Sequence, residues 1–162
     1  MNSLLRSLGR LAMPTGKRTY AKMDITDHRR LDVFFYGLFM DPQLLQDRGV
    51  RPTDIRVASV SGFALRIGAR ATLVPDPGGQ VHGVLMKLSH ADLERLYADP
   101  SVQAYHPEAV LAVTRDGVAV AAMCYNLAEA PSPQEHNADY ASKLRSLAQE
   151  IGLPESYVAS IS

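Results

Sequence analysis

The chain has 162 residues, and its 17 basic residues balance its 17 acidic residues. This length predicts one domain, and zero net charge argues against a nucleic-acid groove or a polybasic membrane surface. The one cysteine, Cys124, excludes an intramolecular disulfide and a thiolate metal cluster, and no apolar run approaches the ~20 residues that span a membrane.

The first 30 residues differ from the rest in composition. Met1 to Met23 carries five basic residues and no acidic one, with leucines at weakly helical spacing. This composition is typical of a mitochondrial targeting peptide, of a disordered bacterial extension, or of sequence upstream of a true start at Met23. We predict a disordered or targeting-like extension over 1–30 and a single domain over 31–162. We also predict a cytoplasmic protein, or a mitochondrial one if the basic segment is a targeting peptide.

The most informative stretch runs from Val33 to Met40. Four bulky β-formers lead into Gly37, and three apolar residues then precede Asp41-Pro42. This pattern predicts a buried strand, a tight turn at the glycine and a short helix capped by the aspartate. Because glycine lacks a Cβ, a ligand can approach the backbone here, and exposed amides can hold an anion. The alternative is that Gly37 only makes the turn.

Further β-rich segments follow the short helix. Residues 55–67 alternate loosely and predict a strand with a bend at Gly62. Short strands are predicted at 71–74 and 81–88, on either side of the Pro-Gly-rich residues 75–79. We predict that these two short strands pair with each other as a hairpin.

The second half combines helices with another hairpin. Ser89 begins a capping-box pattern, so a helix is predicted there, and Asp99-Pro100 ends it. Residues 109–127 are β-rich around Asp116-Gly117, a strong hairpin signal. Apolar residues then recur at helical spacing over 138–151, with Gly152 as the closing residue.

Strands therefore outnumber helices, and two of the predicted connections are hairpins. The order does not alternate regularly between strand and helix, as a doubly wound parallel sheet would. We predict a mixed α/β (α+β) fold, in which a small, largely antiparallel β-barrel is flanked by helices.

The candidates for chemistry are acidic residues. The five histidines show no metal-ligand spacing, so we predict no metal site. Glu94, Asp99 and Glu108 lie close in sequence to Tyr105. A buried carboxyl group with a raised pKa can serve as general acid and base. The alternative for each is a solvated surface acid.

Several of these segments resemble the γ-glutamylcyclotransferase-like (AIG2-like) family in its bacterial form. Residues 35–39 resemble that family's Tyr-Gly-(Ser/Thr)-Leu turn, and residues 71–84 are similar to its hairpin. Residues 105–110 and 123–125 fall where the family has a Tyr-x-x-x-x-Val motif and an aromatic strand. The resemblance covers residues 32–127 and implies a β-barrel with its pocket at the Tyr-Gly turn.

The resemblance also implies a reaction. In this family the α-amine of a γ-glutamyl group attacks its own γ-carbonyl, giving 5-oxoproline and a free amine. Backbone amides at 37–40 would anchor the α-carboxylate, and one carboxylic acid would carry the proton, with no metal or cofactor. The implied partner is a small γ-glutamyl molecule, neither a nucleic acid nor a membrane. The implied substrate-binding residues are Tyr36, Gly37, Leu38, Phe39, Met40, Tyr97 and Tyr105.

Two positions depart from the family's pattern. Leu38 stands where serine or threonine is usual, and aligning the Leu-Asp-x-x-Glu-Gly motif on Leu93 places Tyr97 at the glutamate position. A tyrosine, with a pKa of about 10, is a poor base at neutral pH. We therefore predict that Glu108 or Asp99 is the catalytic proton carrier, and favour Glu108 because strand alternation can aim it inward. The competing hypothesis is a binding module that holds a small carboxylate ligand without catalysis.

Overall fold

The computed structural model of the protein describes residues 29–162. The predicted extension over 1–30 lies almost entirely outside this range. The strands are β1 (Arg30–Phe35), β2 (Thr53–Ile67), β3 (Ala71–Ser89), β4 (Tyr105–Thr114) and β5 (Ala119–Leu127). The helices are α1 (Pro42–Gln46), α2 (His90–Tyr97), α3 (Ala138–Ile151) and α4 (Glu155–Ser160), with a 3-10 turn at Leu38–Met40.

The strands close into a barrel in the order β1-β3-β2-β4-β5. Neighbouring strands are antiparallel except β1 and β5, which run parallel where Val33 pairs with Met123. Closure removes the free edges that would otherwise invite pairing with another chain. The predicted fold class, a largely antiparallel barrel flanked by helices, is confirmed.

β1 passes through the centre of the core, as its apolar sequence predicts. Val33, Phe34 and Phe35 are all buried, so both faces of this second half of the strand are covered, while β3 and β5 pair with its two edges. Burying such a side chain contributes about 1.5–3 kcal/mol. The helix predicted after β1 is also confirmed, since the Asp41 carboxylate accepts a hydrogen bond from the Gln43 amide at 2.9 Å.

β2 and β3 form one long hairpin, and here the prediction was wrong. Residues 71–74 and 81–88 do not pair with each other: both belong to the single strand β3, and both pair with β2. The chain reverses at residues 68–70, where the Gly68 amide donates to the Arg70 carbonyl at 3.0 Å. Because β2 is 15 residues long, it offers ladder partners to both halves of β3.

The Pro-Gly-rich residues 75–79 form a wide bulge within β3. Phe63 pairs with Pro75, but Ser61 pairs with Gln80, so the strand carries extra residues at this point. Gly62 faces the bulge with a φ of +87°, a left-handed conformation that favours glycine. The predicted bend at Gly62 is confirmed, while the predicted reversal at 75–79 is replaced by this bulge.

The remaining predicted caps and turns match the structure, but β4 begins at Tyr105, four residues before the predicted start of the hairpin at residue 109. The Ser89 hydroxyl accepts a hydrogen bond from the Asp92 amide at the start of α2, and Gly152 ends α3 at a φ of +81°. Gly117 turns the β4–β5 hairpin at a φ of +83°. Within residues 29–162, none of the helices has both the length and the apolar character needed to cross a membrane.

Candidate active site at the tyrosine cavity

A cavity of about 270 Å³ opens where β1 ends. It lies over the turn at Gly37 and Leu38, between β1, the chain after α1, the turn at 68–70 and helix α3. We call it the tyrosine cavity, because its wall contains Tyr36, Tyr97, Tyr105, Tyr125 and Tyr140. The site is thus assembled from segments that are far apart in the sequence.

Space beside the Gly37 backbone is already taken by a side chain from α3. Gly37 has an extended backbone that other residues could adopt, but a Cβ there would lie 2.6 Å from the Tyr140 hydroxyl oxygen. The Leu38 amide donates to the same hydroxyl oxygen over 3.4 Å. The Met40 amide is engaged elsewhere, since it donates to the Gly37 carbonyl at 2.9 Å within the 3-10 turn. The Tyr140 hydroxyl therefore sits at the predicted anion-binding turn.

Two tyrosine hydroxyls are bonded to the barrel. Tyr36 donates to the Tyr125 carbonyl at 2.7 Å, and Tyr105 donates to the Ala71 carbonyl at 2.5 Å. The rings of Tyr97 and Tyr125 stack with centroids 3.7 Å apart. These contacts fix the wall of the cavity before any ligand arrives, which favours preorganised binding.

Burial keeps the tyrosines of the cavity neutral. It raises the pKa of Tyr105 to about 12, and it raises the pKa values of Tyr36 and Tyr97 well above their usual range. Desolvation is the largest cause in each case, because the phenolate form would lose its hydration. At neutral pH, Tyr97 is therefore a neutral hydroxyl, at the position onto which the sequence motif aligned the family's glutamate.

The charge of the cavity comes from two arginines, Arg48 and Arg70. The Arg48 guanidinium lies 4.9 Å from the centroid of the Phe39 ring, within cation–π range. Among the described residues, no acidic side chain lines the cavity, and neither arginine forms an ion pair. Such a wall favours an anionic ligand over a cationic one.

The turn that carries Arg70 is held by the loop before α3. The Glu135 carboxylate accepts hydrogen bonds from the Ala69 amide at 3.3 Å and the Ser132 amide at 3.2 Å. A Cβ at Gly68 would lie 2.4 Å from the Pro131 side chain, so the turn and the loop pack closely. The arginine is thereby carried on a restrained backbone.

The structure brings most of the predicted substrate-binding residues together. Those that line the cavity are Tyr36, Gly37, Leu38, Phe39, Tyr97 and Tyr105. Met40 does not line it: its side chain is buried in the core beneath the turn.

The two predicted proton carriers, Asp99 and Glu108, do not line the cavity. The Asp99 carboxylate accepts hydrogen bonds from the Ser101 amide at 2.8 Å and hydroxyl at 2.6 Å, and these bonds lower its pKa. Glu108 is exposed on β4, and its carboxylate accepts a hydrogen bond from the Asn126 side chain at 2.7 Å. Neither carboxylate is therefore part of the cavity wall, although Ser101, the partner of Asp99, does line the cavity.

Sequence reasoning did not identify the two arginines and two of the five tyrosines of the cavity wall as part of the site. Tyr125 was noted only as part of an aromatic strand, and Tyr140 only as a member of the apolar stripe of α3. Arg48 and Arg70 carried no local signal. The turn at residues 68–70, which positions Arg70, was not predicted, because the chain reversal was placed at residues 75–79 instead.

Comparison with known proteins gives a family match. The family model described as gamma-glutamyl cyclotransferase, AIG2-like, matches residues 33–144, which are 112 of the 162 residues. Comparison with curated proteins gives no match.

Solved structures share the fold. A protein described as a gamma-glutamyl cyclotransferase has a TM-score of 0.67 at 24% identity, over 83% of this chain and 89% of that one. An uncharacterised protein from Homo sapiens has a TM-score of 0.66 at 24% identity, over 82% and 88%. A protein from Arabidopsis thaliana has a TM-score of 0.58 at 25% identity, over 75% and 85%.

The matched residues 33–144 run from β1 into α3 and include every residue that lines the tyrosine cavity. The resemblance seen in the sequence is confirmed. The chain belongs to the gamma-glutamyl cyclotransferase, AIG2-like family.

Proposed function

We propose that the protein binds small γ-glutamyl compounds in the tyrosine cavity and cyclises the γ-glutamyl group to 5-oxoproline, releasing the amine. The proposal rests above all on the position of the cavity, over the Gly37 turn where the family resemblance implies the substrate site. The positive charge of Arg48 and Arg70 suits the α-carboxylate of such a ligand. Family membership supplies the class of reaction.

The reaction needs no oxidant, reductant or second substrate. The α-amine nitrogen forms a bond to the γ-carbonyl carbon and closes a five-membered ring. The bond from that carbon to the leaving amine then breaks, and the proton lost by the attacking amine is balanced by the proton gained by the leaving amine. Holding the amine and the carbonyl in one restrained geometry raises their effective concentration.

The Tyr140 hydroxyl suits the role of a ligand contact. Its oxygen accepts the hydrogen bond from the Leu38 amide, so its own proton is free to point towards a ligand oxygen. We propose that this hydroxyl donates to the α-carboxylate, and thereby supplies the hydroxyl contact that is missing at Leu38.

The attacking amine must lose its proton before it can react. Burial and the positive charges of Arg48 and Arg70 both disfavour an ammonium group, so they lower the pKa of the bound amine. We propose that the ligand's amine reacts in this neutral form, activated without a carboxylate from the cavity wall.

Glu108 and Asp99 remain the alternative proposal for the proton carrier. General acid–base catalysis is typically worth about 10²–10⁴-fold, so a loss of that size in Glu108→Gln or Asp99→Asn would assign the role to that residue. Because neither carboxylate lines the cavity, we expect each variant to lose less than about tenfold in turnover, below that range. Thermal melts of both variants control for folding.

The second candidate function is a binding module that holds a γ-glutamyl or other small carboxylate without converting it. The observation that favours it is Tyr97, a neutral side chain at the position of the family's catalytic glutamate. Incubating the purified protein with a panel of γ-glutamyl amines and peptides, and measuring 5-oxoproline, separates the two functions. Release of 5-oxoproline supports the enzyme, and calorimetric binding without release supports the binding module. A protein that neither binds nor converts any of the compounds would overturn both functions.

A further inference from the structure

We propose that the outer face of the β4–β5 hairpin is an interaction surface, and that its partner is a second copy of this chain. We call this surface the hairpin face, and it consists of five outward side chains: Ala109, Leu111 and Val113 of β4, and Ala119 and Ala121 of β5. None of them lines the tyrosine cavity, so the inference is independent of the proposed function.

The strands of this hairpin are apolar on both sides. The inward residues Val110, Ala112 and Ala122 are buried, as expected for the core of a barrel. The outward residues that alternate with them are exposed. An antiparallel sheet with one face in water normally carries polar residues on that face. The fold of a single copy therefore leaves a second apolar face of the hairpin uncovered.

Exposed large aliphatic side chains are concentrated in this region. Among the described residues there are four, with exposed fractions of 61% at Leu111, 52% at Val118, 50% at Ile55 and 39% at Val113. Val118 follows the turn of the hairpin. Ile55 lies on the neighbouring strand β2, three residues before Ala58, which pairs with Thr114 of β4. Apolar side chains that cluster in this way mark an interaction surface, whereas scattered ones do not.

The hairpin face carries no charge, and the charged residues beside it bond within the chain. At the turn, the Arg115 guanidinium donates to the Gly152 carbonyl, and the Asp116 carboxylate accepts a hydrogen bond from the Thr114 hydroxyl. A second copy placed on this face therefore brings no like charges together. The zero net charge of the chain also imposes no long-range repulsion between copies.

The relief of the hairpin face suits a two-fold contact. Leu111 lies directly opposite Ala121, and Val113 lies directly opposite Ala119. A row of larger side chains on β4 thus runs beside a row of methyl groups on β5. A two-fold rotation can place the β4 row of one copy against the β5 row of the other, so that one patch complements itself.

The size of the face predicts a weak dimer. An apolar patch of this kind on a monomer measures about 300–600 Å², so two copies would bury about 600–1,200 Å² in total. This area is below the roughly 1,600 Å² of a standard interface and falls in the range of weak, transient contacts. We therefore expect the dimer to form and dissociate as the protein concentration changes.

Sedimentation velocity of the full-length chain between about 1 μM and about 300 μM tests the inference. We expect the wild-type protein to change from monomer to dimer within this range. Leu111→Glu places a carboxylate on the hairpin face of each copy. It should weaken dimerisation at least about tenfold, because a contact between the two faces would bury charges of like sign.

Two exposed alanines provide a matched pair of variants. Ala121 lies within the hairpin face, whereas Ala130 lies in the loop that follows β5. Ala121→Glu should weaken dimerisation at least about tenfold, and Ala130→Glu should leave it unchanged. Thermal melts show whether each variant is folded. If Leu111→Glu does not fold, the two alanine variants decide the question.

Three results would overturn the inference. A wild-type chain that stays monomeric at about 300 μM would leave the hairpin face to another occupant, either a different protein or residues 1–28 of the same chain. A dimer that persists unchanged in folded Leu111→Glu and Ala121→Glu proteins would place the contact elsewhere on the molecule. Equal weakening by Ala130→Glu would show that association depends on the charge of the whole chain and not on this face.

Discussion

The charged side chains of the barrel wall and those of the tyrosine cavity differ in how they are partnered. On the wall, Asp32 accepts hydrogen bonds from Arg56 at 2.6 Å and Lys87 at 2.9 Å, so strands β1, β2 and β3 are joined by one ionic cluster. In the cavity, Arg48 and Arg70 have no ionic partner among the described residues. A zero net charge for the chain therefore conceals a local excess of positive charge.

This difference teaches which charges serve the fold and which are available to a ligand. Asp32 forms ion pairs with both Arg56 and Lys87, so these charges are already partnered within the protein and are not available to a ligand. The cavity offers neutral tyrosine hydroxyls and cations without acids, which leaves room for an anion to complete the arrangement. Variants in the tyrosine cavity should therefore affect ligand binding, whereas variants in the ionic cluster of the barrel wall should affect stability.

The largest expected effect is in the cavity, for Gly37→Val. A Cβ at this position would lie 2.6 Å from the Tyr140 hydroxyl oxygen, so the larger side chain must push Tyr140 aside or fill the anion site. We expect binding of 5-oxoproline, measured by calorimetry, to fall by about 100-fold, the equivalent of roughly 3 kcal/mol. Gly78→Val is the control, because a Cβ at Gly78 meets nothing within 4 Å and the residue lies outside the cavity.

On the barrel wall, Asp32→Asn should lower stability and leave binding unchanged. The substitution leaves Arg56 and Lys87 beside a neutral group, although both side chains are about a third exposed and partly hydrated. We expect the free energy of unfolding in urea to fall by about 1 kcal/mol. Glu150→Gln, at an exposed position on α3, should not change it. A loss of ligand affinity in a folded Asp32→Asn protein would contradict the separation of the two regions.

A smaller effect is expected when pH is varied. The pKa of Tyr105 is raised to about 12, and burial also raises the pKa values of Tyr36 and Tyr97, so these three tyrosines stay neutral near pH 7. Because the carboxylate of 5-oxoproline also stays ionised, its dissociation constant should vary by no more than about twofold between about pH 6 and pH 9. A titration midpoint inside that range would reveal a histidine or a perturbed carboxyl group at the site.

The smallest effect is expected from removing the basic extension. Both compared regions lie within residues 31–162, so a chain that begins at Thr26 should fold and bind as the full-length chain does. We expect its melting temperature to stay within about 5 °C, which corresponds to roughly 1 kcal/mol for a domain of this size. A larger fall would show that the extension contributes to the fold.

Much of the fold could be predicted because its signals are local. The cap at Asp41, the glycine that ends α3 and the Asp116-Gly117 turn each act through neighbouring residues, and each was identified correctly. The β2–β3 hairpin was missed because a Pro-Gly-rich bulge and a Pro-Gly-rich turn have the same local composition. Only the length of the partner strand decides between them.

The site was less accessible to prediction, because it is assembled by distant segments. The turn at Gly37 was identified from its own sequence, but Tyr140 reaches it from a helix 103 residues later in the chain. Whether Arg48 and Arg70 have partners depends on the packing of the loops around them, which no spacing rule reports. The same holds for Glu108, whose side chain bonds to Asn126 and does not reach the cavity wall.

The most direct test of the tyrosine cavity as a γ-glutamyl site is the release of 5-oxoproline from γ-L-glutamylglycine by the purified protein, measured together with binding. We predict release by the wild-type protein, unchanged release by Gly78→Val, and loss of both release and binding in Gly37→Val. Binding without release in the wild type would make the protein a binding module at the same site. Release that persists in a folded Gly37→Val protein, or a wild-type protein that neither binds nor converts the compound, would contradict the assignment of the cavity.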